Sequence, residues 1–520
     1  MQRSEKVIGA SRRQALTAGL ALPLAAGGAW AASGATNAAQ AQASGGHNTV
    51  QPSSVIPQPP VMAPLKAFIS GAATSVIDEE TRELGRRHIL DTLASAVACR
   101  DLEPSVVARN YALEMSGDVR AGAVTILGTR QTASLVDAVF AGAMTAHGAE
   151  INDFIPSAYV QPGPAVVATA IGVAERNKAR GAPVSGDAFL KAVLIGYELS
   201  GRIPKALGIH NLQAMNLANH GIGPVFGSAA TAASLLGLTS DEVGHMLSYC
   251  GQQASGCWQW MLDVEHIEKS FVFAGMGARN GLQAAVMAKG GFHGVRDAFD
   301  QPSGWLNAPP FRGNDGDRAY LITDLGTRWE MPHTAFKRYP VGGPTQPAIE
   351  GLLTLLPQIN RGEVKRVLIE MPGRADAFRD AEMPALNLRY LTAIILLDGR
   401  LDFVSAQSLE RMHGDAAVAA IMSRVEVVHD EAQETPRGLP REESARVTID
   451  DAGSPHTVFV PFVRGFPSHP MDRADVEAKA LELMGPLLGA DRANAVIRQV
   501  RDLDSMTDAS RLAELIAVAS

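Results

Sequence analysis

Apolar residues recur at helical spacing through the first two thirds of the chain. In the segment 78–97, Leu90, Leu93, Ala94 and Val97 lie three or four positions apart. Side chains at this spacing share one face of an amphipathic helix. Later segments repeat the pattern with many Ala and Gly residues, which allow helices to pack closely. The sequence therefore predicts a body of packed helices.

The pattern changes in the last third of the chain. Short β-branched runs at 364–371 and 424–428 predict strands, and 446–460 predicts a hairpin. Helical patterns at 388–397 and 403–411 lie between them. Strands interspersed with helices indicate a small α+β domain.

We therefore predict a mainly α fold with an α+β second domain. The expected parts are a helical domain over 64–327, an α+β lid domain over 328–465, and C-terminal helices over 466–520 that pack back on the helical domain. Residues 44–63 are rich in Ser, Gly and Pro, a composition typical of a flexible leader.

Residues 1–43 are typical of an export signal. Arg12 and Arg13 precede a moderately apolar run from Ala18 to Trp30, and Ala-x-Ala sites follow. The run is shorter than the ~20 apolar residues that a spanning helix needs. Because the arginine pair resembles a twin-arginine signal, we expect an exported, periplasmic protein whose mature form has no stable membrane insertion. The alternative is an uncleaved N-terminal anchor.

Charge and cysteine content exclude two classes of function. The formal net charge of the 520 residues is −8, without a cluster of Lys and Arg. Neutralising phosphates requires such a cluster, so we expect no nucleic-acid partner. The three cysteines form no Cys-x-x-Cys pair, so neither a disulfide framework nor a zinc site is predicted.

The stretch 140–174 carries the main candidate chemistry. His147, Glu150 and Asp153 recur every third residue between two small-residue helices. They would converge on one helix face if the first helix persists that far. An imidazole and two carboxylates at a helix end suit a proton-transfer site. The alternatives are solvated or capping side chains and a metal site built from their oxygen and nitrogen atoms.

The order of motifs in this stretch is a small-residue helix, His-x-x-acid, x-x-Asp, Pro-Gly and an Ala/Val-rich helix. This order resembles the MmgE/PrpD family, which includes 2-methylcitrate dehydratases and cis-aconitate decarboxylases. The resemblance extends from about residue 64 to the C-terminus, and each motif is moderately specific. Its other motifs are the His-containing turn and helix at 220–236, the Lys and Gly-Ala helix at 265–294 with one extra residue, the Lys-Arg-x-Pro turn at 335–346, and Gly-Phe-Pro at 465–471.

The resemblance implies a homodimer and a lyase that needs no organic cofactor. Such a hydro-lyase or decarboxylase would act on a small di- or tricarboxylic acid by removing a proton next to a carboxylate, with cations holding the other carboxylates. No metal is expected on this interpretation. Two alternatives stay open: an isomerase or epimerase of a small dicarboxylate, and a non-catalytic exported carboxylate-binding protein.

The resemblance also implies roles for single residues. Glu150 and Asp153 would supply acid–base function or orient the base. His220 is the candidate proton carrier, because an imidazole titrates near neutral pH. Lys269 would face a substrate carboxylate at the reacting centre. Tyr390 would donate a hydrogen bond from its hydroxyl group to the substrate.

The chain departs from the family at two positions that many members fill with His. Gln161 precedes Pro162, and Gln346 follows the Lys-Arg-x-Pro turn. An amide does not exchange protons at neutral pH, which allows a different substrate or reaction; Glu150 also replaces the usual Asp. The predicted substrate-binding residues are His147, Gln161, Lys269, Lys337, Arg338 and Gln346.

Overall fold

The computed structural model describes residues 59–118, 121–311, 316–436, 439 and 441–518. The predicted export signal, and the predicted leader up to residue 58, lie outside the described residues. Val61 and Met62 are already buried, and their backbone N–H groups donate to the Asp300 carboxylate at 2.9 and 3.0 Å. Packed structure therefore begins slightly before residue 64.

Helices form most of the described chain. Their bounds are α1 Met62–Ser70, α2 Glu79–Ala98, α3 Glu103–Ser116, α4 Leu135–Ala146, α5 Pro162–Ala179, α6 Gly186–Leu207, α7 Ile209–Ala214, α8 Asn219–Leu236, α9 Ser240–Gln253, α10 Ile267–Ser270, α11 Met276–Lys289, α12 Gln346–Leu355, α13 Ala375–Arg379, α14 Leu388–Asp398, α15 Phe403–Ala406, α16 Leu409–Gly414, α17 Ala416–Met422, α18 Arg473–Leu488, α19 Ala490–Arg501 and α20 Arg511–Ile516.

The strands lie in two small sheets. β1 Val124–Thr125 and β2 Thr132–Ala133 form a two-stranded antiparallel pair. β3 Arg366–Met371, β4 Val425–His429, β5 Ala445–Asp450 and β6 Pro455–Val460 form a sheet in the order β4-β3-β5-β6. β3 and β4 run parallel, and the other neighbours run antiparallel. The predicted fold class, a helical body with a smaller α+β region, is confirmed.

Glycines allow α6, α8 and α11 to pack almost backbone to backbone at the centre of the helical body. A Cβ atom on Gly227 of α8 would lie 2.0 Å from Ser200 Oγ of α6, and one on Gly281 of α11 would lie 2.3 Å from Val225 O of α8. Neither position has room for a side chain. The small residues of the sequence thus set the distance between the central helices.

The C-terminal helices return to the helical body. Val476, Ala480 and Met484 of α18 belong to the same apolar core as α2 and α6. Buried Lys479 of α18 extends its Nζ to 2.5 Å from Asp91 Oδ1 of α2. The sheet β3–β6, with α12 and α14, has a separate apolar core.

One predicted helix is divided. The segment 403–411 forms α15 and the start of α16, because Ser408 begins a new helix by accepting a hydrogen bond from Arg411 N at 3.1 Å. None of the helices in the described ranges is long and apolar enough to cross a membrane.

Candidate active site

The residues 147–153, here called the acid turn, leave α4 at its C-terminal end. α4 ends at Ala146, and His147 is its C-cap residue. Because the helix does not persist to Asp153, the condition for one shared helix face is not met. His147, Glu150 and Asp153 are all buried, but each has its own set of neighbours.

Glu150 is surrounded by two lysines and an imidazole. Lys337 Nζ lies 2.8 Å from Glu150 Oε2, His266 Nε2 lies 3.1 Å from Oε1, and Lys269 forms an ion pair with Oε1. Burial raises the pKa of the Glu150 carboxyl, but Lys269 and Lys337 outweigh it and hold the pKa well below the usual range. Glu150 is therefore ionised at neutral pH, which favours an orienting role over proton transfer.

His266 is held by Ser270 as well as by Glu150. His266 Nδ1 lies 2.9 Å from Ser270 Oγ, and Ser270 Oγ donates to the carbonyl oxygen of His147 at 2.8 Å. An ionised carboxylate can only accept, so the contact with Glu150 is a hydrogen bond when His266 Nε2 carries the proton. Burial lowers the pKa of His266, and Glu150 opposes this effect.

Asp153 links three helices behind the acid turn. Its Oδ2 accepts from Tyr197 OH of α6 at 2.5 Å and lies 2.8 Å from His88 Nδ1 of α2, while Oδ1 accepts from Gly163 N of α5 at 3.2 Å. Both oxygens of the carboxylate are therefore engaged with neighbouring helices. Its position favours fixing the turn over contact with a substrate.

His220 lies in the first turn of α8 inside an aromatic box. Its ring stacks 4.2 Å from Phe273, with Trp258 and Trp260 edge-on at 5.1 and 5.2 Å. Among the described residues, buried His220 Nδ1 has no hydrogen-bond partner. Burial first, then Lys269 and Arg441, lower the pKa of His220 well below its usual value. The ring is therefore neutral and able to accept a proton.

Four of these groups meet at one cavity of about 1230 Å³, lined by residues of the helical body and of the α+β region. Glu150, His220, Lys269 and Lys337 lie on its wall. Gln161, the N-cap residue of α5, lines it too, and its Oε1 accepts from Lys337 Nζ at 3.4 Å. The structure therefore brings together at one cavity five of the ten residues singled out in the sequence.

His147 forms part of the support behind this wall. Its ring lies 5.1 Å from the rings of both His266 and Phe273. Burial, followed by His266, lowers the pKa of His147 well below its usual value. A neutral ring in this position packs against the cavity wall; it does not line the cavity itself.

Three predicted residues have contacts elsewhere. Arg338 is 39% exposed and lies 3.6 Å from Glu482. Tyr390 donates from its hydroxyl group to Ser405 O at 2.6 Å within the α+β core. Gln346 accepts from Tyr339 N at 3.0 Å and donates to Tyr339 O at 2.8 Å, which fixes the turn after Lys337. None of these three residues lines the cavity of His220.

Sequence reasoning missed His266, Tyr159 and Arg441. His266 lies three residues before Lys269, so its place in the same motif was an available signal. Tyr159 lies in the proline-rich part of the turn and adopts a left-handed backbone conformation, with φ of 52°. Arg441 lies in a loop before β5 and lines the cavity only through tertiary packing, so local sequence gave no signal for it.

The structure does not bring His147, Glu150 and Asp153 together as a metal site would require. Within the described ranges, no group of three or more His, Cys, Asp or Glu side chains is placed to hold a metal ion. His147, Glu150 and Asp153, whose spacing suggested such a site, have separate partners.

Comparison with known proteins identifies the family. Residues 63–313 match the MmgE/PrpD N-terminal domain, and residues 339–505 match the MmgE/PrpD C-terminal domain. The chain belongs to the MmgE/PrpD family. The resemblance inferred from its motifs is confirmed.

Proteins similar to this MmgE/PrpD chain come from two Aspergillus species and from Homo sapiens. It is 24% identical to a cis-aconitate decarboxylase of Aspergillus terreus over 482 residues, which cover 88% of this chain and 96% of the relative. It is 25% identical to a cis-aconitate decarboxylase-like protein of Aspergillus oryzae over 400 residues, covering 71% and 79%. The human cis-aconitate decarboxylase is 23% identical over 465 residues, covering 86% and 92%.

The extra residue in the Lys269 motif of this family member has a structural counterpart. Phe271–Gly275 forms a π-helical turn between α10 and α11. A π-turn bonds residue i to i+5, so it accommodates one residue more than an α-turn, and such turns often occur at functional sites. Phe273 of this turn stacks against the His220 ring, and Lys269, two residues before the turn, pairs with Glu150.

Proposed function

We propose that this chain is a lyase that removes a proton next to a carboxylate of a small di- or tricarboxylic acid, without an organic cofactor. Membership of the MmgE/PrpD family and the likeness to cis-aconitate decarboxylases support the lyase class. The observation that carries the finer proposal is the pair of buried lysines, Lys269 and Lys337, that share one carboxylate on the wall of the cavity of His220.

The charges of this wall favour an anionic ligand. Lys269 and Lys337 are 3% and 1% exposed, and Glu150 is the carboxylate that both contact. Two ammonium groups on one carboxylate leave an excess positive charge, and a buried charge is unfavourable without a counter-charge. Each ammonium group also has three donors, more than Glu150 can occupy. A substrate carboxylate would supply both the charge and the acceptors.

His220 would carry the proton. As a neutral ring it takes a proton from the carbon next to the bound carboxylate, and the electron pair moves into that carboxylate, which Lys269 and Lys337 already hold in the bound substrate, as an enolate-like anion. In dehydration the imidazolium of His220 returns the abstracted proton to the neighbouring hydroxyl group, which leaves as water. In decarboxylation His220 first takes up a proton from water as the anionic substrate binds; the bond to a carboxylate then breaks, carbon dioxide leaves with that carboxylate's carbon, and His220 delivers its proton to the carbon that keeps the electron pair. The negative substrate raises the pKa of His220 relative to the free protein, which assists both branches.

The proposal is tested by proton NMR of the purified full chain in deuterated buffer. Aconitate, citrate, 2-methylcitrate, malate and aspartate-like acids are added singly, with and without chelator. Loss of a substrate C–H signal together with a new lyase product is the expected result. Exchange with conversion only to an isomer would establish an isomerase or epimerase instead. No exchange with any acid, combined with saturable binding by calorimetry, would establish a carboxylate-binding protein.

A substitution tests the role of His220. His220→Ala is expected to lower kcat about 10²- to 10⁴-fold, the usual contribution of a general acid–base group. His413→Ala is the matched control, because His413 is exposed and lies outside the cavity. Unchanged turnover in His220→Ala would show that another group carries the proton.

Two further expectations from the sequence stay predictions. Export to the periplasm depends on the signal over 1–43, and the homodimer depends on the family resemblance. Fractionation of cells and light scattering of the purified protein test them.

A further inference from the structure

Arg441 brings a guanidinium group from the α+β region to the cavity of His220. It lies in the loop between β4 and β5 and lines the cavity. Its guanidinium carbon lies 4.4 Å from the centroid of the Tyr159 ring. The Tyr159 ring in turn lies edge-on to His220, with 6.4 Å between centroids.

Two cationic groups contact aromatic neighbours of His220. His220 stacks on Phe273, whose ring lies 5.3 Å from Lys269 Nζ. Tyr159, a second ring neighbour of His220, has Arg441 over its ring. The positive charge of Arg441 also lowers the pKa of His220, as expected for a cation close to the imidazole.

Tyr159 is fixed in the position that this arrangement needs. Its φ of 52° is strained for a bulky residue. Asn219, the neighbour of His220, donates from Nδ2 to the carbonyl oxygens of Ala158 and Tyr159 at 2.7 and 3.0 Å. The same segment therefore positions both the imidazole and the ring on which Arg441 stacks.

Arg441 keeps donors for a ligand. It forms an ion pair with buried Glu443, contacts Tyr159 through a hydrogen bond, and has the carboxylate of Glu434 nearby. A guanidinium group has five N–H donors, more than one carboxylate and one phenol oxygen occupy. The other carboxylates on this wall have donors of their own: Glu434 accepts from Gly373 N at 2.7 Å, and Glu442 from Ser468 Oγ at 2.8 Å.

We propose that Arg441 forms a second carboxylate subsite in the cavity of His220, in addition to that of Lys269 and Lys337. This inference rests on the proposed function and makes its substrate class more specific. The substrate carries two carboxylates, one bound by the lysine pair and the other gripped by the planar fork of Arg441. The carbon between them then faces the imidazole, so a diacid is selected over a monoacid of the same shape.

The experiment compares a diacid with its monoamide on the full chain. Kinetics and calorimetry are measured for wild type, Arg441→Gln and Arg441→Lys, using the acid that the NMR panel identifies and the analogue in which one carboxylate is an amide. Wild type is expected to prefer the diacid. Arg441→Gln is expected to raise KM for the diacid about 30-fold or more, as for a lost buried charge pair. The ratio of the affinity for the diacid to the affinity for the monoamide is then expected to approach one. Arg441→Lys keeps the charge without the fork and is expected to be intermediate.

The control is Arg446→Gln on β5. The Arg446 side chain is 40% exposed, pairs with Asp430 at 3.6 Å and lies outside the cavity. The diacid-to-monoamide affinity ratio of Arg446→Gln is therefore expected to equal that of wild type. An unchanged ratio in both Arg441 variants would overturn the subsite. If wild type binds diacids without turning them over, the proposed lyase activity is wrong. The ratio of Kd for the diacid to Kd for the monoamide, measured in the same Arg441 variants, still decides the role of Arg441. Both Arg441 variants must give the circular-dichroism spectrum of wild type, so that an unchanged ratio is taken only from folded protein.

Discussion

Lys479 Nζ donates to the carbonyl oxygen of Ile151 at 2.7 Å, so the C-terminal helix α18 supports the acid turn from beneath. Ile151 is the neighbour of Glu150, and the same ammonium group lies 2.5 Å from Asp91 Oδ1. Both charged groups are buried, with side chains 3% and 1% exposed. Lys479 thereby fixes the backbone beside the candidate site, although it lies 328 positions from Ile151 in the sequence.

Replacing Lys479 tests this support. Lys479→Met leaves Asp91 as a buried carboxyl without its partner, which is expected to lower the free energy of unfolding by about 3–5 kcal/mol. Chemical denaturation measures it. Arg501→Gln removes an ion pair with Glu477 that is 45% exposed on the arginine side and is expected to change stability by less than about 1 kcal/mol. Equal effects of the two substitutions would show that the buried pair does not hold the turn.

The lysine pair is expected to act mainly in binding. Lys337→Met and Lys269→Met each remove one cation from the Glu150 cluster, so KM should rise about 30-fold or more while kcat changes less. Steady-state kinetics with the identified acid separates the two constants. Lys289→Met, at an exposed ion pair with Glu242, is the control. A loss confined to kcat, with KM unchanged, would contradict a binding role.

His266 is predicted to position Glu150 and the lysines. His266→Asn suits the left-handed backbone, φ 66°, but its side chain is too short to replace the contact with Glu150. We expect a higher KM, a smaller change in kcat, and recovery in His266→Gln, whose amide can again donate to the carboxylate. His293→Asn, at an exposed histidine, should behave as wild type. Identical kinetics for wild type and His266→Asn would mean that Lys269 and Lys337 hold Glu150 unaided.

Stability is predicted to fall as the pH drops below about 6.5, the ordinary pKa of histidine. Burial lowers the pKa of His147, His220 and His266 in the folded chain. The unfolded chain therefore binds protons first, so the stabilisation is complete above the unfolded pKa and is lost as the pH falls towards the folded values.

Denaturation at pH 7.5 and 5.5 measures this loss. His147→Gln removes one of the three imidazoles and should reduce the loss by about 1 kcal/mol, the order expected for one shifted group. Exposed His413→Ala should leave it unchanged. Identical losses in wild type and His147→Gln would show that His147 binds its proton in the folded state.

Local pattern was sufficient for the helices, and the family resemblance supplied several site residues. The spacing of Leu90, Leu93 and Val97 predicted α2, and the small-residue runs around the acid turn predicted α4 and α5. Lys269, Lys337 and His220, taken from motifs, line one cavity. Periodicity succeeds here because helix formation and the burial of one face depend on residues only a few positions apart.

Tertiary structure decided what each charged group faces. Glu150 meets Lys337 across 187 positions, and Asp91 meets Lys479 across 388; neither pairing has a local signal. The spacing of Glu150 and Asp153 suggested a common helix face. Because α4 ends at Ala146, Glu150 instead lines the cavity and Asp153 contacts the helices behind it. Arg441 reached the cavity through packing of the α+β region. The sequence determined the elements and the residue types of the site, whereas burial and charge pairing, which arise only when distant segments pack together, determined their roles.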